Sequence, residues 1–186
     1  MIDYNEQGNE EEYGTILFND KTIKREELNI ITTVDLATST KESADFTVVC
    51  TIGVSSENQI FILDVTRRRI EAPKIIDLLQ NIYDKYQPQV IGVERAGYQL
   101  AFIQILRQQT GLPIRELRAD KDKLSRALPL IAKMEAGQLY FNKSAEWYSD
   151  LEKELLQFPA GEHDDQVDAL AYGILQTARK QEYKAY

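Results

Sequence analysis

The stretch "NIITTVDLATSTKESADFTVVCTIGVSSENQIFILDVTRRR" (29–69) decides the fold. It holds three β-rich runs. "NIITTVDLA" (29–37) reads as a buried strand ending at Asp35. "ADFTVVCTIGV" (44–54) and "QIFILDVTRRR" (59–69) are separated by "SSEN", a hairpin signal. Three strands in succession form a meander. The pattern then alternates. "APKIIDLLQNIYDKYQ" (72–87) has helical apolar spacing, with Pro73 suited to a first turn. "PQVIGVERA" (88–96) is a short buried strand reaching Glu94, and "GYQLAFIQILRQQTG" (97–111) a helix closed by Gly111. "LPIRELRA" (112–119) is a strand, and 122–137 a helix with Pro129 inside it, kinked or broken there. "QLYFN" is a short strand, "SAEWYSDLEKELLQF" a helix started by Ser144, and the last helix runs from about Asp164 to Lys180. The order β-β-β-α-β-α-β-α-β-α-α predicts an α/β fold: a mixed sheet with helices on its faces. No GxGxxG and no GxxxxGK[ST] is present, so a dinucleotide or P-loop fold is excluded.

The bulk numbers narrow the function. The 186 residues suit one domain, with residues 1–28 read as an acidic linker or arm, containing a short strand at "TILF", and 29–186 as the folded unit. No apolar run is long enough to span a bilayer, and the N-terminus lacks a signal peptide's basic and apolar regions. The lone Cys50 permits no internal disulfide and reads as a small buried hydrophobe. The lone His163 excludes a site built from several histidines. Net charge is −8, of which residues 1–29 carry −5. The remainder is close to neutral, so a local basic patch for DNA remains compatible with the composition.

The acids are placed in a telling way. Asp35 sits between apolar Val34 and Leu36, and Glu94 ends the strand "VIGVE". In "GEHDDQVDALAYGIL" (161–175), Asp164, Asp165 and Asp168 crowd the start of an apolar helix, with 165 and 168 on one face. Burying a carboxylate without a partner costs several kcal/mol, on the order of the penalty for a lone buried charge. Either positive charge is expected beside them, or the aspartates face water. An all-oxygen set suits Mg²⁺ or Mn²⁺. Two such ions can activate a water and steady the leaving oxygen of a phosphodiester.

"TTVDLATSTKESADFTVVCTIG", "VIGVERAG", "DKLSRA" and "HDDQVDALAYGI", in that order over about residues 28–180, resemble the nuclease domain of phage terminase large subunits. That family lies in the RNase H-like (RuvC-like) superfamily. The resemblance implies a mixed sheet of five main strands, the first three antiparallel, flanked by helices. It implies a metal-dependent endonuclease that cuts concatemeric viral DNA during packaging in the host cytoplasm. It implies double-stranded DNA, an ATPase domain, a small terminase subunit and a portal as partners, and no membrane. Carried onto this chain, Asp35, Glu94 and Asp165 are the expected catalytic acids and ligands of two ions. Asp168, Asp45 and Asp164 are further candidate ligands.

Each residue has a plainer reading. Glu94 also suits pairing with Arg95, Asp164 an N-cap, Asp165 a first-turn acid, and Asp45 a turn. His163 reads as a local hydrogen-bonder. For DNA, the basic segment 115–127 points to Lys121, Lys123 and Arg126, with "RRR" (67–69) as a second run. The rival functions are a Holliday-junction resolvase-like nuclease and a non-catalytic DNA-binding or assembly module. A 3′–5′ exonuclease of the DEDD kind fits poorly, because its second acid belongs where this chain has Ala37.

Overall fold

The computed structural model of the chain describes residues 2–3, 5–7, 15–18, 21–37, 46–95, 99–118 and 122–182. Its strands are β1 (Ile2–Asp3), β2 (Asn5–Gln7), β3 (Thr15–Phe18), β4 (Lys21–Lys24), β5 (Asn29–Asp35), β6 (Thr47–Val54), β7 (Ile60–Arg68), β8 (Val90–Arg95), β9 (Ile114–Arg118) and β10 (Leu139–Phe141). Its helices are α1 (Ala72–Tyr86), α2 (Gln99–Gln109), α3 (Lys123–Glu135), α4 (Tyr148–Gln157) and α5 (Asp165–Glu182). A seven-stranded sheet runs β1-β10-β7-β6-β5-β8-β9, and a separate antiparallel sheet runs β2-β3-β4. The expected meander is β5, β6 and β7, paired antiparallel, while β8 and β9 continue the sheet in parallel beside β5. β10 and β1 extend the other edge in parallel. The "TILF" strand is β3, and its Ile16 is buried in one core together with Leu28 and Ile30.

Alternation along the strands sorts side chains between two cores. On one face, Ile30, Val34, Ile91 and Val93 pack with Leu79 and Ile82 of α1 and with Ile103 and Leu106 of α2. On the other, Ile31, Val48, Cys50, Ile52 and Phe141 pack with Leu130 of α3, Leu151 of α4 and Val167, Leu170 and Ile174 of α5. β6 is buried on both sides along nearly its whole length, which explains its largely apolar composition. Its polar Thr51 is satisfied across the strand pair by Thr32, hydroxyl to hydroxyl at 2.9 Å. Cys50 is wholly buried, and desolvation pushes its thiol well above the usual range, as befits a packing residue.

The placement of α5 matters most. It lies on β5 and β6, and Thr33 Oγ1 donates to the Ala169 carbonyl at 2.6 Å. Gly173 permits this close approach. A Cβ there would stand 3.2 Å from Ile52 Cδ1 and 3.5 Å from Thr33 Oγ1. The helix start is capped from a neighbouring element. Buried Glu154 of α4 accepts from the backbone N–H of Gln166 (2.6 Å) and Val167 (3.0 Å), and from Gln166 Nε2 (2.8 Å). These are first-turn amides that the helix itself leaves unpaired.

The start of the preceding helix differs from the sequence reading. α4 begins at Tyr148 and not at Ser144, because 142–145 form a turn in which Ser144 N–H donates to Asn142 Oδ1 at 3.0 Å. The side chain that caps is therefore Asn142, in a turn, and not Ser144 in a helix. Among the described residues no helix is long and apolar enough to cross a membrane.

Glu154→Ala strips acceptors from two buried amides. Hydrogen bonds to a charged group contribute about 1.5–3 kcal/mol each, so urea denaturation is expected to show a loss of roughly 3 kcal/mol or more, with Glu154→Gln retaining part of it.

Candidate active site

Register brings the acids to one end of the sheet. β5 and β8 are parallel with Val34 opposite Val93, so Asp35 and Glu94 are the next residues on adjacent strands. Asp35 shares its face with Ile31 and Thr33, the face that α5 covers. α5 then delivers Asp165 and Asp168 in its first turn.

Each acid meets a different neutraliser. Asp168 is buried and takes a fork from buried Arg126, at 2.9 Å from Nη2 and 3.3 Å from Nε. Arg126 Nη1 also donates to the Tyr172 hydroxyl at 3.1 Å, and its guanidinium lies 4.7 Å from the Tyr172 ring centroid. Tyr172 in turn donates to Glu94 Oε1 at 2.9 Å. Asp168, Arg126, Tyr172 and Glu94 thus form one bonded chain across the site. Burial, and then the adjoining Glu94, push the Tyr172 phenol well above its usual range, so it remains a donor. Lys123 bonds Asp164 at 2.7 Å and stands 3.6 Å from Asp168. Burial works against the Lys123 charge, but these two carboxylates outweigh it and hold the ammonium above its ordinary pKa. Asp165 has Arg67 Nη2 at 4.0 Å from Oδ2.

Asp35 bears the strain of the arrangement. Its carboxyl is pushed up to about 8, first by burial and then by the charges of Glu94, Asp168 and Asp165, with Lys123 offering partial relief. A group that gives up its charge for want of positive potential is where a cation binds with most effect. The donor chemistry, carboxylate oxygens only, fits a hard divalent ion. As placed, no three acidic, histidine or cysteine side chains among the described residues already stand at ion-holding distance.

The sequence-derived candidates divide accordingly. Asp35, Glu94, Asp165 and Asp168 come together electrostatically, and Asp164 flanks them through Lys123. Asp45 and Lys121 lie outside the described residues. Arg126, offered to DNA by the sequence pattern, turns inward to Asp168 and Tyr172. His163 is exposed and sits edge-on to Phe46, centroids 5.8 Å apart. Sequence reasoning missed Tyr172, Glu154 and the Arg67–Asp165 approach. Tyr172 lies one helical turn past Asp168, a spacing that signals a shared face. Nothing local marks Glu154.

Residues 32–177 match the terminase RNase H-like domain family. The chain belongs to that family. The match runs from the middle of β5 to the middle of α5 and so takes in every acid of the site. No curated protein matches the chain in sequence. Among solved structures, this terminase domain is similar to the large terminase nuclease from thermophilic phage G20c with bound magnesium, at 17% identity and a TM-score of 0.67, covering 95% of this chain and 92% of that one. The same nuclease with bound zinc gives 18% identity, a TM-score of 0.64, and 92% and 90% coverage. At such identity the likeness establishes the shared RNase H-like fold.

Two outcomes follow for the metal-free protein. The folded Asp35 carboxyl holds its proton up to about pH 8, the unfolded one only to about 3.8. The associated stability is full below pH 3.8 and is lost as pH rises through 8. Asp35→Asn removes this dependence. Its Tm in EDTA is expected to match wild type near pH 4 and to exceed it increasingly up to pH 8, by about 2–4 °C per kcal/mol of relieved repulsion; a constant gap across pH would contradict the assignment. Separately, Arg126→Ala strands a buried charge and is expected to cost about 3–5 kcal/mol. Lys123→Ala, at a half-exposed pair, costs about 1 kcal/mol or less in the same denaturation experiment.

Proposed function

We propose that this terminase RNase H-like domain is a metal-dependent DNA endonuclease that cuts concatemeric viral DNA during packaging. The observation that carries the reading is the gathering of Asp35, Glu94 and Asp165 at one sheet end, where burial and then the neighbouring acids push the Asp35 carboxyl up to about 8. The fold relatives support it, since the G20c protein is named a large terminase nuclease and holds magnesium, cobalt or zinc in its solved forms.

Asp35, Glu94 and Asp165 would hold the ions, Mg²⁺ or Mn²⁺, two in number. Bound there, the ions supply charge to acidify a water and to stabilise the departing 3′ oxygen. The chain's own residues prepare the site for this. Tyr172 orients Glu94 by donating to Oε1 and leaves its other oxygen available. Arg126 consumes Asp168, so that acid acts as an anchor for α5 and not as a ligand. Lys123 likewise consumes Asp164. Glu154 holds the first turn of α5, and with it Asp165, against repulsion from Asp35. Asp45 is retained as a further candidate ligand. The implied setting is the packaging motor in the host cytoplasm, with double-stranded DNA, an ATPase domain, a small terminase subunit and a portal as partners.

The test is supercoiled plasmid incubated with the purified chain in Mn²⁺, in Mg²⁺ and in EDTA. Nicking and linearisation are expected with metal and not in EDTA. Asp35→Asn, Glu94→Gln and Asp165→Asn are each expected to lower the rate by on the order of 10³ or more, with folding intact by circular dichroism. Undiminished cutting by Asp35→Asn, or cutting in EDTA, would sink the reading.

A further inference from the structure

The sequence pattern put DNA contacts on 121–126 and left "RRR" (67–69) as a spare basic run. The fold distributes these cations differently. Val48 of β6 is the register partner of Asp35 on one side and of Arg67 on the other. Residues directly opposite one another in a sheet project to the same face. Arg67 therefore shares the face of Asp35, two strands away, or about 10 Å at the usual strand spacing. Its Nη2 reaches to 4.0 Å from Asp165 Oδ2, so it borders the carboxylate centre directly. Arg69, two residues on, accompanies it: the Arg67 and Arg69 guanidiniums lie over the Phe46 ring at 3.6 Å and 4.0 Å from its centroid.

The two basic sides of the site differ in the partners their cations face. On the α3 side, Arg126 is buried in its fork with Asp168, and Lys123 is bonded to Asp164. Arg126 is thus neutralised inside the protein, and Lys123, though exposed, faces Asp164 and Asp168. On the β7 side, Nε and Nη2 of Arg67 are buried and make no hydrogen bond among the described residues, and Nη2 faces Asp165 Oδ2 at 4.0 Å. Arg67 also lines, with Arg68, Trp147, Gln166 and the acids Asp64, Glu146 and Asp150, an open cavity of about 320 Å³. A half-buried guanidinium held by an aromatic ring at the border of the carboxylate centre, with an exposed second one on the same ring, presents positive charge to a phosphate. Arg69 is exposed next to it.

We propose that Arg67 and Arg69, set in place by Phe46, form the phosphate-binding edge that holds the DNA backbone on the β7 side of the carboxylate centre. This rests on the nuclease reading above, and it assigns the substrate a path across the β7 side of the site. Arg67 serves binding and alignment of the backbone beside Asp165.

Binding is measured for the whole chain in EDTA, by fluorescence anisotropy of a labelled duplex between 50 and 200 mM salt. Arg67→Ala/Arg69→Ala is expected to weaken binding at least tenfold at low salt. It is expected to lower the slope of log K against log salt by close to two contacts, at about 0.9 per phosphate. In Mn²⁺ the same variant is expected to raise KM for DNA more than it lowers kcat. Arg107→Ala, an exposed cation near the end of α2, is the control and is expected to change neither quantity. If the double variant folds poorly, Arg69→Glu alone, at an exposed position, is expected to weaken binding at least fivefold. Lysine at both positions is expected to restore the salt slope but only part of the affinity, since it keeps charge without the fork. Unchanged affinity and slope in the alanine and glutamate variants would overturn the proposal. So would an absence of duplex binding by the wild type at about 100 μM, where even non-specific complexes form. The nuclease reading fails by a different result: no cutting by wild type in any ion, whatever the arginine variants do to binding.

Discussion

Like charge confined to one end of a sheet is the constraint on which this structure depends. Asp35 and Glu94 arrive there by strand register, and Asp165 and Asp168 by the first turn of α5. Their repulsion opposes the docking of α5, the helix that closes one core. The fold answers with a separate device for each acid. Asp168 receives a buried guanidinium, Asp164 an ammonium, Glu94 a phenol and Asp165 the approach of Arg67. Asp35 receives little, and its carboxyl responds by keeping its proton to about pH 8. Stability is given up at the place where a cation would restore it, which is the common thermodynamic signature of a site shaped for a charged ligand.

Holding α5 against that repulsion takes tertiary contacts from three directions. The Thr33 hydroxyl bonds the Ala169 carbonyl, and Gly173 lets the helix backbone descend onto Ile52. Glu154 caps the first turn from α4. A carboxylate is well suited to that last role, because it faces the positive end of the helix dipole. It also adds another acid close to the cluster, which is tolerable because two backbone amides and the Gln166 amide satisfy it. Arg126 links the same region to β8, through Tyr172 and Glu94. The supports of the acids and the supports of the core are therefore the same contacts.

Much of this was legible in one dimension. Strand and helix order followed from hydrophobic period, because period 2 and period 3.6 impose different faces on a chain. Asp35 stood out because an acid between buried apolar neighbours in a strand demands a partner. The strand β6 was visible as a β-rich run whose only polar members are threonines. Failures of the sequence reading share one cause. Arg126 looks like any surface cation in "DKLSRALPL", and only the packing of α3 on α5 turns it toward Asp168. Ser144 has the composition of a cap, but Asn142 captures the local amide first. Glu154 sits in an acidic, half-polar helix with no sign that its side chain is buried.

By itself, then, the sequence determined which residues carry charge into the interior, in what order along the chain, and on which alternating face of each strand. These are local properties, set by covalent spacing and by the free energy of burying each side chain. Tertiary structure alone decided which cation meets which acid. That choice spans 42 residues for Arg126 and Asp168, and 78 for Tyr172 and Glu94. No period or motif encodes such a separation. It is fixed by the register of β5 with β8 and by the depth at which α5 docks, because hydrogen bonds and ion pairs act over a few ångströms and only packing brings distant residues that close.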